Sequence, residues 1–156
     1  MSLKAKVGGI WLAKKETTWR APALYAVADT PFNLFTIVGG PVKIYSLVAH
    51  LTTAITTGVT WHFLLGAVLL DAALFAAIGA IGTTVVVPLN VGAALIAPAQ
   101  GSPVPSILAA AFNVFGITAA PANIILALGG AADVDGLVSF TVEWERLSPA
   151  ANIVVA

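Results

Sequence analysis

The chain has no cysteine and few charged residues. Without cysteine it cannot form disulfides, use a thiolate nucleophile or bind zinc through sulfur. Only 9% of its 156 residues are Asp, Glu, Lys or Arg, while 59% are hydrophobic. A typical soluble domain has about 25% charged residues. A single domain with so few charges leaves apolar surface uncovered, so we expect protein or lipid to cover part of it.

The charges that are present lie mostly near the two ends of the chain. Residues 1–43 carry six basic and two acidic residues, and Asp71 is the only formal charge between Lys43 and Asp133. The C-terminal part is acidic, and the net charge of the whole chain is zero. No linker or low-complexity tract divides the chain. The sequence therefore predicts an N-terminal basic arm at residues 1–28 and one β-rich domain at residues 29–156.

The middle of the chain has the patterns of β-strands. Gly39-Gly40-Pro41 predicts a turn, and residues 42–56 that follow are rich in β-branched side chains. Strict alternation places Val42, Ile44 and Ser46 on one face of this strand and Tyr45, Leu47 and Ala49 on the other. Residues 59–65 resume the pattern after Gly58, which predicts a hairpin with 42–56. Residues 83–91 predict a further strand, with Pro88 at an edge or an end.

The clearest alternation is near the C-terminus. Residues 123–129 and 137–145 both read as strands, and in the second one Val138, Phe140, Val142 and Trp144 form an apolar face. Asp135-Gly136 between them is a favoured hairpin turn because glycine accepts positive φ. The sequence therefore predicts that these two strands pair as a hairpin, and that the chain is mostly β.

Residues 63–82 allow a different interpretation. Ten of them are Leu, Ile, Val or Phe, which offsets the cost of one central Asp71 in a membrane-spanning helix. The β-patterned flanks and the even spread of hydrophobicity over the chain argue against this span. A small integral membrane protein remains the alternative from a different class, although we expect no membrane partner.

Several motifs, in order, resemble a loose group of small tailed-phage virion proteins of the kind encoded near the major capsid protein. They are Phe35-Thr36-Ile37-Val38-Gly39-Gly40-Pro41-Val42, a strand ending in Leu51-Thr52-Thr53-Ala54-Ile55, a late hairpin, the run from Gly136 to Trp144 followed by Arg146-Leu147-Ser148-Pro149, and the tail Ile153-Val154-Val155-Ala156. The resemblance covers roughly residues 30–156. The group usually has a more polar middle, so the nearly charge-free middle of this chain is a departure from it.

The resemblance implies a head decoration or cement protein on the capsid exterior. The fold it implies is an antiparallel β-sandwich, or jelly-roll-like, single domain. The implied partners are the major capsid protein and further copies of the chain, as a dimer or trimer, held by buried apolar surface. A structural subunit of the phage tail is the alternative within this group.

The basic arm is the predicted partner-contact segment. It mixes basic residues with two tryptophans, a residue type enriched at interface hot spots. A nucleic-acid arm would use the same residue types, but the chain is neutral overall, so we expect docking on an acidic capsid surface and no nucleic acid. The predicted contact residues are Lys4, Lys6, Trp11, Lys14, Lys15, Trp19 and Arg20.

No set of residues in the sequence predicts an enzyme. His50 and His62 lack a third metal ligand nearby, and no serine lies in a nucleophile elbow. Asp71 reads as a capping or loop residue, and Asp133-x-Asp135-Gly136 as a turn rather than half a calcium loop. We therefore expect no catalytic residue, no metal site and no cofactor.

Overall fold

The computed structural model describes residues 5–7, 10–12, 14–25, 31–56, 60–70, 75–76, 79–87, 115–116, 122–129 and 135–156. Lys4, Asp71 and Asp133 lie outside these residues. The regular structure of the described part is entirely β. Its strands are β1 (Ala5–Val7), β2 (Ile10–Leu12), β3 (Glu16–Ala23), β4 (Phe32–Val38), β5 (Val42–Leu51), β6 (Thr60–Leu65), β7 (Val68–Leu69), β8 (Phe75–Ala76), β9 (Thr84–Val87), β10 (Phe115–Gly116), β11 (Ala122–Gly129), β12 (Val138–Arg146) and β13 (Asn152–Val155).

Most of the strands form two antiparallel sheets that pack face to face. The β3 sheet has the order β3-β12-β5, and the far edge of β5 pairs with both β9 and β10. The β4 sheet has the order β13-β4-β11-β6, and the far edge of β6 pairs with both β7 and β8. Successive long strands alternate between the two sheets. This confirms the predicted antiparallel β-sandwich.

A core of buried apolar side chains lies between the two sheets. Along most of each long strand, residues alternate between the core and the outer face, as the period of two requires. Phe140 on β12 is fully buried, and its ring centroid lies 6.3 Å from that of Trp61 and 6.1 Å from that of Phe63, both on β6. Tyr25 meets Phe140 edge-on, with the ring centroids 5.5 Å apart. The aromatic contacts thus join the two sheets across the sandwich.

The predicted C-terminal hairpin is wrong, although both of its strands form. β11 pairs with β4 and β6, whereas β12 pairs with β3 and β5, so the chain crosses from one sheet to the other. Gly136 does adopt positive φ (91°). Asp135, however, accepts a hydrogen bond of 2.8 Å from the Thr56 amide, which fixes the crossing to the segment that follows β5. A turn signal specifies that the chain bends, but not whether the next strand lies beside or opposite the last.

The hairpin predicted between residues 42–56 and 59–65 is wrong for the same reason. β5 belongs to the β3 sheet and β6 to the β4 sheet. The apolar faces of both strands are covered from across the sandwich rather than by pairing with each other. The predicted turn at 39–41 does form, since Gly39 and Gly40 both have positive φ, and it also connects the two sheets.

A bulge in β5 changes the face assignment that strict alternation gave. Glu143 lies opposite Ser46 and Trp144 opposite Ile44, so Tyr45 is the extra residue. Strict alternation predicts Val42 and Ile44 on the face opposite to Leu47, Ala49 and Leu51. Because of the bulge, all five side chains are buried on the same face. The bulge leaves Tyr45 and Ser46 both half-buried on the outer side.

Two further stretches form strands where the sequence left another interpretation open. Residues 16–23, assigned to the N-terminal arm, form β3 and pair with β12 along most of their length. Residues 63–82 contain the end of β6, a turn, β7, β8 and a second turn wherever they are described. Within the described residues, no helix has the length and apolar character to cross a membrane.

Candidate interaction surfaces

The two sheets differ in charge. Among residues whose side chains the structure describes, every Lys, Arg, Asp and Glu lies in β3, β5 or β12 or in the segments leading into them. None of the six strands of the β4 sheet contains a charged residue. The basic N-terminal part and the acidic C-terminal part of the sequence therefore meet on one sheet, because β3 pairs with β12.

The outer face of the β4 sheet has no Asp, Glu, Lys or Arg on its strands and carries a row of apolar side chains. Leu64 on β6 lies between Ile125 on β11 and Leu69 on β7, so these three side chains form a row on this face. Leu69 is 43% exposed, and Ile125 and Leu64 are half-buried. The polar residues of the face include His62, and the Thr36 hydroxyl donates to the Asn123 side-chain oxygen over 3.0 Å. This face offers a partner apolar contact without any Asp, Glu, Lys or Arg in its strands.

A second exposed apolar surface runs along β3. We call it the Trp19 surface; it comprises Lys14, Lys15, Trp19, Leu24 and Leu137. Trp19 is 58% exposed and Leu24 is 55% exposed. Because Ala23 pairs with Val138, Leu24 and Leu137 lie next to each other at one end of the sheet. The two lysines are exposed at the other end of β3. Large exposed apolar side chains beside cations are typical of a docking surface.

Arg20, which the sequence groups with the contact residues, is engaged inside the protein. Its Nη1 donates to the carbonyl oxygens of Leu34 (2.9 Å) and Ala156 (2.8 Å), and its Nε donates to the Tyr25 hydroxyl (2.9 Å). Burial raises the pKa of this Tyr25 phenol. The guanidinium therefore holds an edge of the sandwich together, and whether it also contacts a partner remains a prediction.

Lys15 belongs to a polar cluster on the outer face of the β3 sheet. Its Nζ lies 4.3 Å from the ring centroid of Tyr45, and the Nζ of Lys43 lies 5.0 Å from it. The Tyr45 hydroxyl donates a short hydrogen bond to Glu145, which raises the pKa of Tyr45 to about 12. Ser46 donates to Glu143 over 3.3 Å. Each glutamate on this face thus already accepts a hydrogen bond within the fold.

The remaining predicted contact residues are only partly placed. β1 and β2 pair as a separate two-stranded sheet, with Lys6 directly opposite Trp11, so these two residues are brought together in register. Lys4 lies outside the described residues. Sequence reasoning missed Leu24 and Leu137 as members of the Trp19 surface. The pairing of β3 with β12 brings them together, and no local pattern indicates it.

The histidines and Asp135 do not assemble a catalytic or metal site in the described part of the chain. No group of three or more His, Asp or Glu residues lies together there. His50 is exposed, and its Nδ1 lies 3.2 Å from the Thr84 hydroxyl. His62 lies on the outer face of the β4 sheet opposite Ala127. Asp135 holds Thr56 through its carboxylate.

Comparison of the chain with protein families, curated proteins and solved structures gave no match.

Proposed function

We propose that this chain is a structural subunit of a tailed-phage virion, a head decoration or cement protein that oligomerises and binds the exterior of the capsid. The observation that carries the proposal is the division of charge between the two sheets. It gives one small domain two chemically different contact faces, as a subunit that binds both its own copies and a shell needs. β-Sandwich domains serve many different functions, so the choice of a virion comes from the sequence resemblance.

The Trp19 surface is the part of the chain that we propose docks on the major capsid protein. Among the side chains that the structure describes, Trp19 is the largest exposed apolar one, and tryptophan contributes strongly when an interface buries it. Lys14 and Lys15 are exposed at one end of β3, while Glu16 close by is already held by Arg146. The nearby cations thus complement an acidic partner surface. Buried apolar area stabilises by about 25 cal/mol per Å², and many copies would add such contacts across a shell.

The test is binding of the purified chain to empty shells assembled from the major capsid protein of the same phage genome. We expect the chain to co-sediment with the shells at a fixed stoichiometry. Replacing Trp19 by alanine should weaken binding about 30-fold or more, the effect of losing an interface hot spot. Val68→Ala is the matched control, because Val68 is also an exposed apolar side chain (51%) but lies in the β4 sheet; it should bind like the unaltered chain.

The outcome that refutes the proposal is a chain that stays in the supernatant with shells and is absent from purified virions by mass spectrometry. Detection in isolated tails instead of heads would move the subunit to the tail. Equal loss of binding in the two variants would show that the Trp19 surface is not the docking surface.

A further inference from the structure

We propose that the outer face of the β4 sheet is the surface through which two copies of the chain pair, sheet against sheet. The inference rests on the proposed function and specifies which surface and which partner produce the oligomer. The Trp19 surface lies on the other sheet and takes no part in the pairing.

Charge identifies a second copy as the partner. A typical protein surface patch of about 20 residues brings about five charged side chains. Buried against the β4 sheet, those ions would lose their hydration and find no opposite charge, which is costly. The strands of a second β4 sheet bring no Asp, Glu, Lys or Arg. The face is therefore complementary to itself and unfavourable for an ordinary charged partner.

The size of the face also suits pairing. Strands lie about 4.8 Å apart and rise about 3.4 Å per residue, so the six strands of this sheet present roughly 500 Å² of plane. Two copies would bury about 1000 Å² together, which is near the lower end for a specific interface. Ile125 on β11 lies near the middle of this plane, because β11 pairs with β4 on one side and β6 on the other.

Pairing through this face has a geometric consequence. In each copy the β3 sheet lies behind the β4 sheet, so the two Trp19 surfaces of a dimer lie on the layers farthest from the interface. A dimer could then bind one partner molecule through each Trp19 surface and join the two. Such bridging is the mechanical role of a cement protein.

The first experiment places one charge in the centre of each outer face. Ile125→Lys introduces it on β11, and Val48→Lys is the matched control, because Val48 is a half-buried β-branched residue on β5, an inner strand of the β3 sheet. Sedimentation equilibrium should give twice the monomer mass of 15.8 kDa for the unaltered chain. We expect Ile125→Lys to raise the dimer dissociation constant at least 100-fold, and Val48→Lys to leave it within about 3-fold.

A second experiment measures the arrangement without adding charge. Because the chain has no cysteine, a spin label attaches only to an introduced one. Stacked sheets lie about 10 Å apart, so labels on two copies of Ile125→Cys should lie roughly 10–20 Å apart and labels on Val48→Cys about 30 Å or more. Circular dichroism of every variant confirms that the β fold is retained, so that a loss of dimer is not a loss of fold.

A monomeric unaltered chain at 100 µM, or spin-label distances in the reverse order, would overturn the pairing. So would equal dissociation of both lysine variants. A monomer that floats with phosphatidylcholine vesicles and is released by Ile125→Lys would identify lipid as the occupant. The shell-binding assay is separate from all of these. A monomer that binds shells would refute the pairing alone, and a dimer that does not bind shells would refute the virion role alone.

Discussion

At the scale of single residues, Arg20 connects the two sheets of the sandwich. It lies on β3, yet its guanidinium donates to carbonyl oxygens at Leu34 on β4 and at Ala156 beyond β13. Thr18 on the same strand donates to the Ile153 carbonyl over 3.2 Å and accepts from the Trp144 indole over 3.0 Å. β3 and β13 are edge strands of different sheets. These side chains therefore close the sandwich where no backbone ladder joins the sheets.

Arg20→Lys should lower the free energy of unfolding by about 2 kcal/mol. The ammonium of lysine is a point donor and cannot reach the phenol and the two carbonyl oxygens from one planar group. Urea unfolding followed by circular dichroism measures the change. Lys14→Ala, at an exposed position, is the control and should change stability by less than about 0.5 kcal/mol. A variant as stable as the unaltered chain would show that the Arg20 contacts contribute little.

The Glu16–Arg146 ion pair predicts that the stability of the fold depends on pH. Arg146 donates to Glu16 through Nε (2.6 Å) and Nη2 (3.0 Å), and this hydrogen bonding lowers the pKa of Glu16 below its ordinary value. A carboxyl group whose pKa is lowered by folding stabilises the folded state at pH values above its unfolded pKa, which is near 4.3. This contribution is lost as the pH falls through the folded pKa.

Glu16→Gln should therefore lower the free energy of unfolding by about 1 kcal/mol at pH 7. The value is modest because the ion pair is partly exposed. The difference from the unaltered chain should shrink as the pH falls from 7 towards 3, because Glu16 is protonated first in the unfolded state and then, below its lowered folded pKa, in the folded state. Urea titrations at the two pH values measure it. A difference that stays constant from pH 7 to pH 3 would exclude this linkage.

At the scale of elements, the connections between strands decide the topology. The chain passes from β4 to β5 through Gly39 and Gly40, whose φ values are 71° and 142°. A Cβ at Gly39 would lie 2.0 Å from the carbonyl oxygen of Ala150, just before β13. The connection between β4 and β5 is therefore packed against the segment that precedes β13. Position 39 requires glycine because the backbone has positive φ and because a Cβ would collide with Ala150.

Gly39→Ala should lower the free energy of unfolding by about 3 kcal/mol or more. The alanine must adopt a strained positive φ, and the backbone must also shift to separate its Cβ from Ala150. Gly66→Ala is the matched control: its φ is 59°, and a Cβ there meets nothing within 4 Å. It should cost only about 1 kcal/mol, the strain of the left-handed conformation alone. Thermal unfolding of both variants gives the comparison, and equal costs would mean that the close approach to Ala150 is unimportant.

At the scale of the whole molecule, the two sheets share one core. The buried side chains of both sheets form a single cluster, in which Phe140 contacts Trp61 and Phe63. Neither sheet can bury its apolar face without the other, so the sandwich should unfold as one cooperative unit.

Phe140→Ala should cost about 3–5 kcal/mol, the range for removing a fully buried aromatic ring. Circular dichroism and tryptophan fluorescence should report the same urea midpoint in the variant, because both sheets lose the same core. Phe32→Ala, which removes a partly buried ring packed against the core, should cost roughly half as much. Separate transitions for the two probes would show that the sheets unfold independently.

Much of the strand content and of the core follows from the amino-acid sequence alone. Alternation identified Val138, Phe140, Val142 and Trp144 as an inner face, and all four are buried. The positions of β9 and β12 and the turn at Gly39-Gly40-Pro41 were also predicted, because a period of two and a glycine turn are local properties. The absence of charge from the middle of the chain was visible too, and it indicated that apolar surface must be covered.

How the strands pair depends on the tertiary fold. β11 and β12 have the pattern of a hairpin, but they lie in different sheets, and the inner residues of both belong to the one core between the sheets. The Tyr45 bulge, the joining of β3 to β12 and the gathering of charge on one sheet follow from contacts between residues far apart in sequence. Local patterns hold no information about such contacts, since they depend on which strands the complete core brings together.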